Sequence, residues 1–282
     1  MNVYKQNGVT IVEIPKHKIG KINFSLCKQP TETLKSFYDR QTEKPDFIMN
    51  GGFFSMSNGK TCFSYIDEGK DLSASLSYTV GMGITYDNQL VYGDIKDCQW
   101  KDFISAYPPL IENGKVCPIS IATEINYKAR RSVLAYNDTT VFLIAVESNG
   151  MTFRAVQDLL LTLGVTYAIN LDGGGSTKIL QNGKSITSSI YNRAVDNVIT
   201  VYLNKLYRVQ VGAFSKKENA TALQAKIRAL PDNIGAGYKN AYVRKIGEYH
   251  KVQVGAFSKE ANAQKVLADL KAKGFEGFIT TE

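Results

Sequence analysis

The block Val209-Gln210-Val211-Gly212-Ala213-Phe214-Ser215-Lys216 recurs, residue for residue, as Val252-Gln253-Val254-Gly255-Ala256-Phe257-Ser258-Lys259. Such an internal repeat requires the end of the chain to be built from two copies of one supersecondary unit. Each copy alternates apolar and polar residues, the period of a strand. Helical spacing follows each: Ala220, Leu223, Ile227 and Leu230 line one face after the first copy, and Ala263, Val266, Leu267 and Leu270 after the second. With further strands expected over residues 241–246 and 277–281, the order is βαββαβ, an α+β unit over residues 205–282.

The second feature is Asn170-Leu171-Asp172-Gly173-Gly174-Gly175-Ser176-Thr177. It lies between two short apolar runs that read as strands, Tyr167-Ala168-Ile169 and Lys178-Ile179-Leu180. Three consecutive glycines leave backbone N–H groups bare and free to wrap an anion. Asp172 places a carboxylate at one lip of this loop, and Ser176 and Thr177 place hydroxyls at the other. A flexible turn is the bland alternative, but it has no need of three glycines.

Composition narrows the partners. The chain has 282 residues, 44% of them hydrophobic, which is enough for one large or two ordinary domains with real cores. A net charge of +8 favours polyanionic surroundings such as nucleic acid, an anionic cell wall or acidic glycans. The lysines are scattered and no zinc-finger or RNP-type pattern occurs, which argues against nucleic acid. The apolar run over residues 141–146 is far short of a membrane span, and residues 1–7 lack the apolar core and cleavage site of a signal peptide. Cys27, Cys62, Cys98 and Cys117 show no metal-ligand spacing and read as reduced thiols. His17 and His250 are the only histidines, so acid–base chemistry falls to carboxylates. Asp172, Glu147 and Asn170 supply oxygen donors suited to Ca²⁺ or Mg²⁺, but neither an obligatory metal nor a cofactor is expected.

Strands are expected over residues 8–14, 16–26, 46–49, 133–136, 140–146 and 198–203, a helical turn over 33–38, and a hairpin over 81–92. Residues 108–114, beginning Pro108-Pro109, read as a turn-rich passage. A helix over residues 152–163 is capped by Thr152 and ended by Gly164. It joins the strand ending at Glu147 to the strand ending before Asp172, making these two carboxylates neighbours at one sheet edge. Asn50-Gly51-Gly52-Phe53-Phe54 again pairs glycines with aromatics, and each phenylalanine reads either as a sugar-stacking face or as core. Arg130-Arg131 at a strand entrance reads as a solvated edge, or, for Arg131, as a guanidinium fork for phosphate.

Taken in order, Asn50-Gly51-Gly52-Phe53-Phe54, Arg131-Ser132, Glu147 followed by Gly150-Met151-Thr152, residues 170–177, and Arg193 with Asn197 resemble the motifs of the phosphodiester glycosidase family. That family includes the enzyme that uncovers mannose 6-phosphate by removing N-acetylglucosamine from a phosphodiester. The resemblance spans residues 1–204, and Asn-Leu-Asp-Gly-Gly-Gly-Ser is its most specific part. It implies an α+β fold with a mixed sheet and cleavage of a sugar 1-phosphodiester between the anomeric carbon and the phosphate. It also implies a catalytic set of Asp172, Arg131, Glu147 and Ser176. Asn50, Gly51, Gly52, Ser132, Gly173, Gly174, Gly175, Thr177, Arg193 and Asn197 would bind substrate. The chain departs from the family in having Arg130-Arg131-Ser132 where Pro-Arg-Thr is usual, and Glu147-Ser148-Asn149-Gly150 where Asp-Gly is usual. On this reading Arg131, Ser176 and the glycine amides hold the phosphate, while Asp172 acts on the sugar as nucleophile or base.

Residues 205–282 resemble a SPOR domain, a module that binds bacterial peptidoglycan, especially glycan strands stripped of their stem peptides. The repeat and the βαββαβ order carry this likeness, which implies a ferredoxin-like fold. Gln210, Gln253 and Tyr242 are then the glycan-facing residues, since alternate strand residues face opposite ways. Three functions follow: a wall-targeted glycosidase acting on a phosphate-containing wall glycopolymer, a peptidoglycan lytic enzyme, or a non-catalytic wall adhesin. A cell-wall or extracellular location reached without a signal peptide fits a phage lysin, a virion-associated protein, or a sporulation enzyme freed by lysis.

Overall fold

The structure, a computed structural model, describes residues 1–75, 77–119, 127–188 and 191–281. The chain divides into two compact units, Met1–Leu203 and Asn204–Glu282.

The first unit is sheet-rich with few helices. One sheet runs Asn2–Gln6, Val9–Pro15, Thr140–Met151, Ala129–Tyr136, Tyr167–Asn170, Pro109–Glu112, Lys115–Val116. A second runs Lys184–Ser185, Ile179–Gln181, Phe47–Asn50, Asn197–Leu203, Ile19–Leu26. A third, between Tyr65 and Ser105, contains the expected hairpin as Val80–Ile84 with Leu90–Asp94. Val12, Leu134 and Leu143 from the first sheet, Phe24, Met49 and Ile199 from the second, and Tyr65, Met82 and Ile104 from the third meet in one core. The opposite face of the first sheet is covered by the helix Phe153–Thr162 through Phe153, Val156 and Leu160. Thr152 caps this helix by accepting a hydrogen bond from the Ala155 N–H at 3.2 Å, and Gly164 follows it at φ +65°.

Two expectations are corrected here. The sheets are not mixed: every strand pairing among the described residues of this unit is antiparallel. The helix connects two strands of the same direction, but Ala129–Tyr136 is inserted between them and pairs antiparallel with both. Residues 108–114 are not only a turn. Pro109–Glu112 is a strand that pairs with Tyr167–Asn170, and a tight turn at Asn113-Gly114 leads into Lys115–Val116. Tertiary pairing at the first residues of a strand tolerates proline there.

The second unit has strands Tyr207–Phe214, Tyr242–Ile246, Tyr249–Phe257 and Phe278–Thr281, with helices Lys217–Arg228 and Glu260–Ala272. In the antiparallel sheet the order is second, third, first, fourth, so the two repeat blocks lie side by side at its centre, with Val209 opposite Val254 and Gln210 opposite Gln253. Val209, Val252 and Val254 pack against Ala220, Ile227, Ala263, Val266 and Leu270 of the helices. Each repeat glycine makes room for the phenylalanine two residues on: a Cβ would sit 2.7 Å from the Phe214 ring at Gly212 and 2.2 Å from the Phe257 ring at Gly255.

Candidate active site

Asp172 follows the strand Tyr167–Asn170, and the chain then turns through a short 3-10 segment, Gly174–Ser176. Each glycine of the loop has its own steric reason. A Cβ on Gly173 would lie 2.5 Å from the Arg130 carbonyl oxygen, and one on Gly175 would lie 2.8 Å from the Arg193 guanidinium carbon. Gly174 has φ +59°, a conformation that L side chains resist.

The loop is stapled to neighbouring strands by buried amides. Asn50 Nδ2 donates to the Asp172 carbonyl at 2.7 Å, while Asn50 Oδ1 accepts from Ser132 Oγ at 2.7 Å and from the Lys178 N–H at 3.2 Å. Asn197 Oδ1 accepts the Gly52 N–H at 2.7 Å, and Asp172 N–H donates to the Gly51 carbonyl at 3.1 Å. Asn50, Ser132 and Asn197 are almost entirely buried, so they position the loop from within. Asn170 is used in the same way, donating from Nδ2 to the Tyr107 carbonyl at 2.6 Å.

Asp172, Gly173 and Gly174 line a cleft of about 220 Å³ together with Phe53, Tyr127, Arg130 and Arg131. Burial pushes the Asp172 carboxyl above the usual carboxylate range, opposed by Ser176, the Gly173 N–H at 2.9 Å and the charge of Arg193. The Ser176 hydroxyl favours the charged carboxylate by its proximity without reaching hydrogen-bond geometry. Ser176 Oγ and Thr177 Oγ1 are both buried and unpartnered among the described residues. Phe53 continues into an aromatic cluster: its ring centroid is 5.3 Å from Tyr107 and 6.0 Å from Phe63, and Tyr78 lies 4.6 Å from Tyr107. Phe54 instead packs on the core beneath the helix Leu34–Arg40, which separates the roles of the two phenylalanines.

Arg131 and Glu147 are placed differently from what the motif order implies. The Arg131 guanidinium lies 3.5 Å over the Phe153 ring, with Nε donating to the Met151 carbonyl at 2.8 Å and Nη2 to the Tyr127 carbonyl at 2.5 Å. Burial lowers its pKa to about 10, partly offset by Tyr127. Glu147 does not line the cleft. It shares a sheet edge with Asp172, but the intervening strand separates the two by two strand spacings, roughly 9–10 Å. Its oxygens accept from Thr10 Oγ1 and the Ser188 N–H, and Lys5 Nζ is 3.6 Å away. Burial alone would raise the Glu147 pKa, but these partners hold it below the usual range.

Motif order does not single out Arg130, Lys178, Phe63, Tyr78 or Tyr107. Arg130 Nη2 donates to the Thr177 carbonyl at 3.3 Å, so this arginine reaches the glycine loop. Both arginines line the cleft, but the register shift between Ala129 and Arg131 gives their guanidinium groups different partners. In the second unit, Gln210, Gln253 and Tyr242 do fall in one row across the sheet, and Tyr242 Oη donates to Gln253 Oε1 at 3.0 Å. Gln210 and Gln253 are buried, however, while Tyr242 lines a cavity of about 630 Å³ with Arg208 and Arg244.

The first unit carries a loop-borne, desolvated carboxylate, and a separate repeat-built unit follows it in the same chain. Residues 43–202 match the phosphodiester glycosidase family and residues 203–281 match the SPOR domain. The chain belongs to the phosphodiester glycosidase family and carries a C-terminal SPOR domain. It is 27% identical over 161 residues to human N-acetylglucosamine-1-phosphodiester alpha-N-acetylglucosaminidase, a match covering 48% of this chain and 31% of the human protein. The mouse protein of the same name is 25% identical over the same share of each chain. The zebrafish catalytic domain of that name, solved auto-inhibited by its pro-peptide, superposes with a TM-score of 0.56 at 18% identity, covering 70% of this chain and 84% of that one. A hypothetical protein from Synechocystis gives a TM-score of 0.54 at 13% identity, over 72% and 61% of the two chains. Both share the fold. Among the described residues, no cluster of three or more His, Cys, Asp or Glu is arranged to hold a metal, and no helix is long and apolar enough to cross a membrane.

Proposed function

We propose that residues 1–203 hydrolyse a sugar 1-phosphodiester in a bacterial envelope polymer, and that residues 204–282 hold the enzyme on peptidoglycan glycan strands. The observation that carries this reading is the cleft in which desolvated Asp172 is flanked by the aromatic Phe53 and by the glycine loop, with Arg193 against Gly175. An aromatic face suits the C–H face of a sugar, while cations and free amides suit a phosphate. The bond between C1 and the phosphate oxygen breaks, with the phosphate monoester leaving as an already stable anion. The elements of water are added to C1 and to the leaving group. Asp172 serves either as the nucleophile at C1 or as the base that takes the proton of the attacking water. Arg193, whose charge acts on Asp172, neutralises the phosphate in place of Arg131, whose Nε and Nη2 are held by backbone carbonyls. Asn50, Ser132 and Asn197 act by holding the loop in register.

For the second unit we propose a ferredoxin-like fold, supported by its strand order of second, third, first, fourth. Glycan binding falls to the cavity with Tyr242, Arg208 and Arg244, with Gln253 orienting Tyr242 through their hydrogen bond. SPOR-directed cell-wall association is the setting this predicts, whether reached by export or by release from a lysed cell.

The test is incubation of the full chain with an N-acetylglucosamine 1-phosphodiester, followed by a phosphatase and a phosphate assay. Phosphate that appears only after the coupled phosphatase step supports the glycosidase. Muropeptide release from sacculi instead would assign a lytic enzyme. Binding of phosphosugar without turnover would assign an adhesin.

A further inference from the structure

Three cations from separate segments gather around the glycine loop. Arg130 Nη2 contacts the Thr177 carbonyl, Lys178 is the next residue and its Nζ donates to Asn192 Oδ1 at 3.2 Å, and Arg193 lies flat against Gly175. Elsewhere in this unit cations beside buried carboxylates are paired, as in Arg40 with Glu32, Lys101 with Asp102 and Lys5 with Glu147. Among the described residues, none of these three cations has a carboxylate within 4.0 Å. Arg130 Nε is in addition buried without a hydrogen-bond partner.

The charge balance exceeds what one reacting phosphodiester needs. Such a group carries a single negative charge and Asp172 a second, against three positive charges on Arg130, Lys178 and Arg193. One positive charge is left unbalanced, and Arg130 and Lys178 repel each other: the Lys178 pKa is lowered first by burial and then by Arg130. A second anion would relieve both costs.

Building on the phosphodiester reading above, we propose that Arg130 and Lys178 form a second anion subsite beside the reacting phosphate. It would hold the phosphate of a neighbouring repeat unit. The substrate class is therefore a polyanionic sugar-phosphate polymer, not an isolated phosphodiester.

The experiment is calorimetric titration of the full chain carrying Asp172→Asn, to prevent turnover, with two probes. One is an oligomer of sugar-phosphate repeats, and the other a methyl diester of N-acetylglucosamine 1-phosphate. The oligomer should bind at least about tenfold more tightly, with a steeper dependence on salt. Adding Arg130→Gln and Lys178→Gln should weaken oligomer binding about tenfold and diester binding less than about threefold. A control removing two exposed charges elsewhere, Lys70→Ala with Lys115→Ala, should leave both unchanged. Single substitutions, checked by melting temperature, cover the case in which the pair fails to fold. Equal losses on both probes, or no loss on the oligomer, would overturn the second subsite. If the unsubstituted chain hydrolyses neither probe while oligomer binding still depends on Arg130 and Lys178, the catalytic reading fails and the subsite stands.

Discussion

Asn50 Nδ2 and the Asp172 carbonyl are joined by a 2.7 Å hydrogen bond across 122 residues of chain, so the carboxylate's backbone is anchored from another sheet. Asn50→Ala should leave the Asp172 carbonyl, the Ser132 hydroxyl and the Lys178 N–H without this partner. The expected cost is about 2–4 kcal/mol of stability, because buried groups lose bonds that water cannot replace. Chemical denaturation measures it. A variant as stable as the parent would show that the staple is dispensable.

Asp172→Asn keeps an oxygen for the Gly173 N–H but removes the charge. Turnover should fall at least about a hundredfold, about 2.7 kcal/mol in barrier. Stability should move the other way. The Asp172 pKa is raised by burial, so its favourable contribution is present below its unfolded value and is lost as pH rises through the folded value. The variant should therefore melt no lower than the parent at pH 7, and any gain should vanish below about pH 4. Retained turnover would move the chemistry elsewhere.

Arg131 supports the fold through Phe153, Met151 and Tyr127. Arg131→Ala should cost about 2–4 kcal/mol through the lost stack and two orphaned carbonyls. The folded fraction should keep its KM for a phosphodiester within about threefold, since Arg131 Nε and Nη2 are held by the Met151 and Tyr127 carbonyls. A large rise in KM in a fully stable variant would return Arg131 to the phosphate.

Glu147→Gln should destabilise the unit by about 1–3 kcal/mol at neutral pH, because Thr10, Ser188 and Lys5 bond the charged form. The folded pKa of Glu147 is depressed, so its contribution is present above the unfolded value and is lost as pH falls through the folded one. The difference between parent and variant should accordingly shrink below about pH 4.3. Turnover should stay within about threefold of the parent's. A loss of a hundredfold with unchanged melting would make Glu147 catalytic.

Residues 204–282 have their own core, centred on Val209, Ile227, Val252 and Leu270, and should fold alone. This piece should sediment with purified sacculi lacking stem peptides, and Tyr242→Ala should weaken that binding about tenfold. Failure of the folded piece to sediment would remove peptidoglycan as its partner.

The sequence by itself determined whatever local periodicity and short-range sterics control. The repeat implied two strand–helix copies, Thr152 and Gly164 bounded a helix, and three glycines after Asp172 marked a loop. Only the tertiary structure decided which side chains meet there. Arg130 and Arg131 are adjacent in sequence, yet a strand has a period of two and the pairing shifts between Ala129 and Arg131, which leaves Arg131 on the helix side and Arg130 at the loop. Glu147 and Asp172 end strands of the same direction, but the inserted strand Ala129–Tyr136 parts them, and Thr10 and Ser188 claim the Glu147 carboxylate. The cluster of Phe53, Phe63, Tyr78 and Tyr107 has no local signature, because its members come from separate segments. Side-chain chemistry is written along the chain, whereas its partners are fixed by strand order and register, which depend on burying all three sheets against one core.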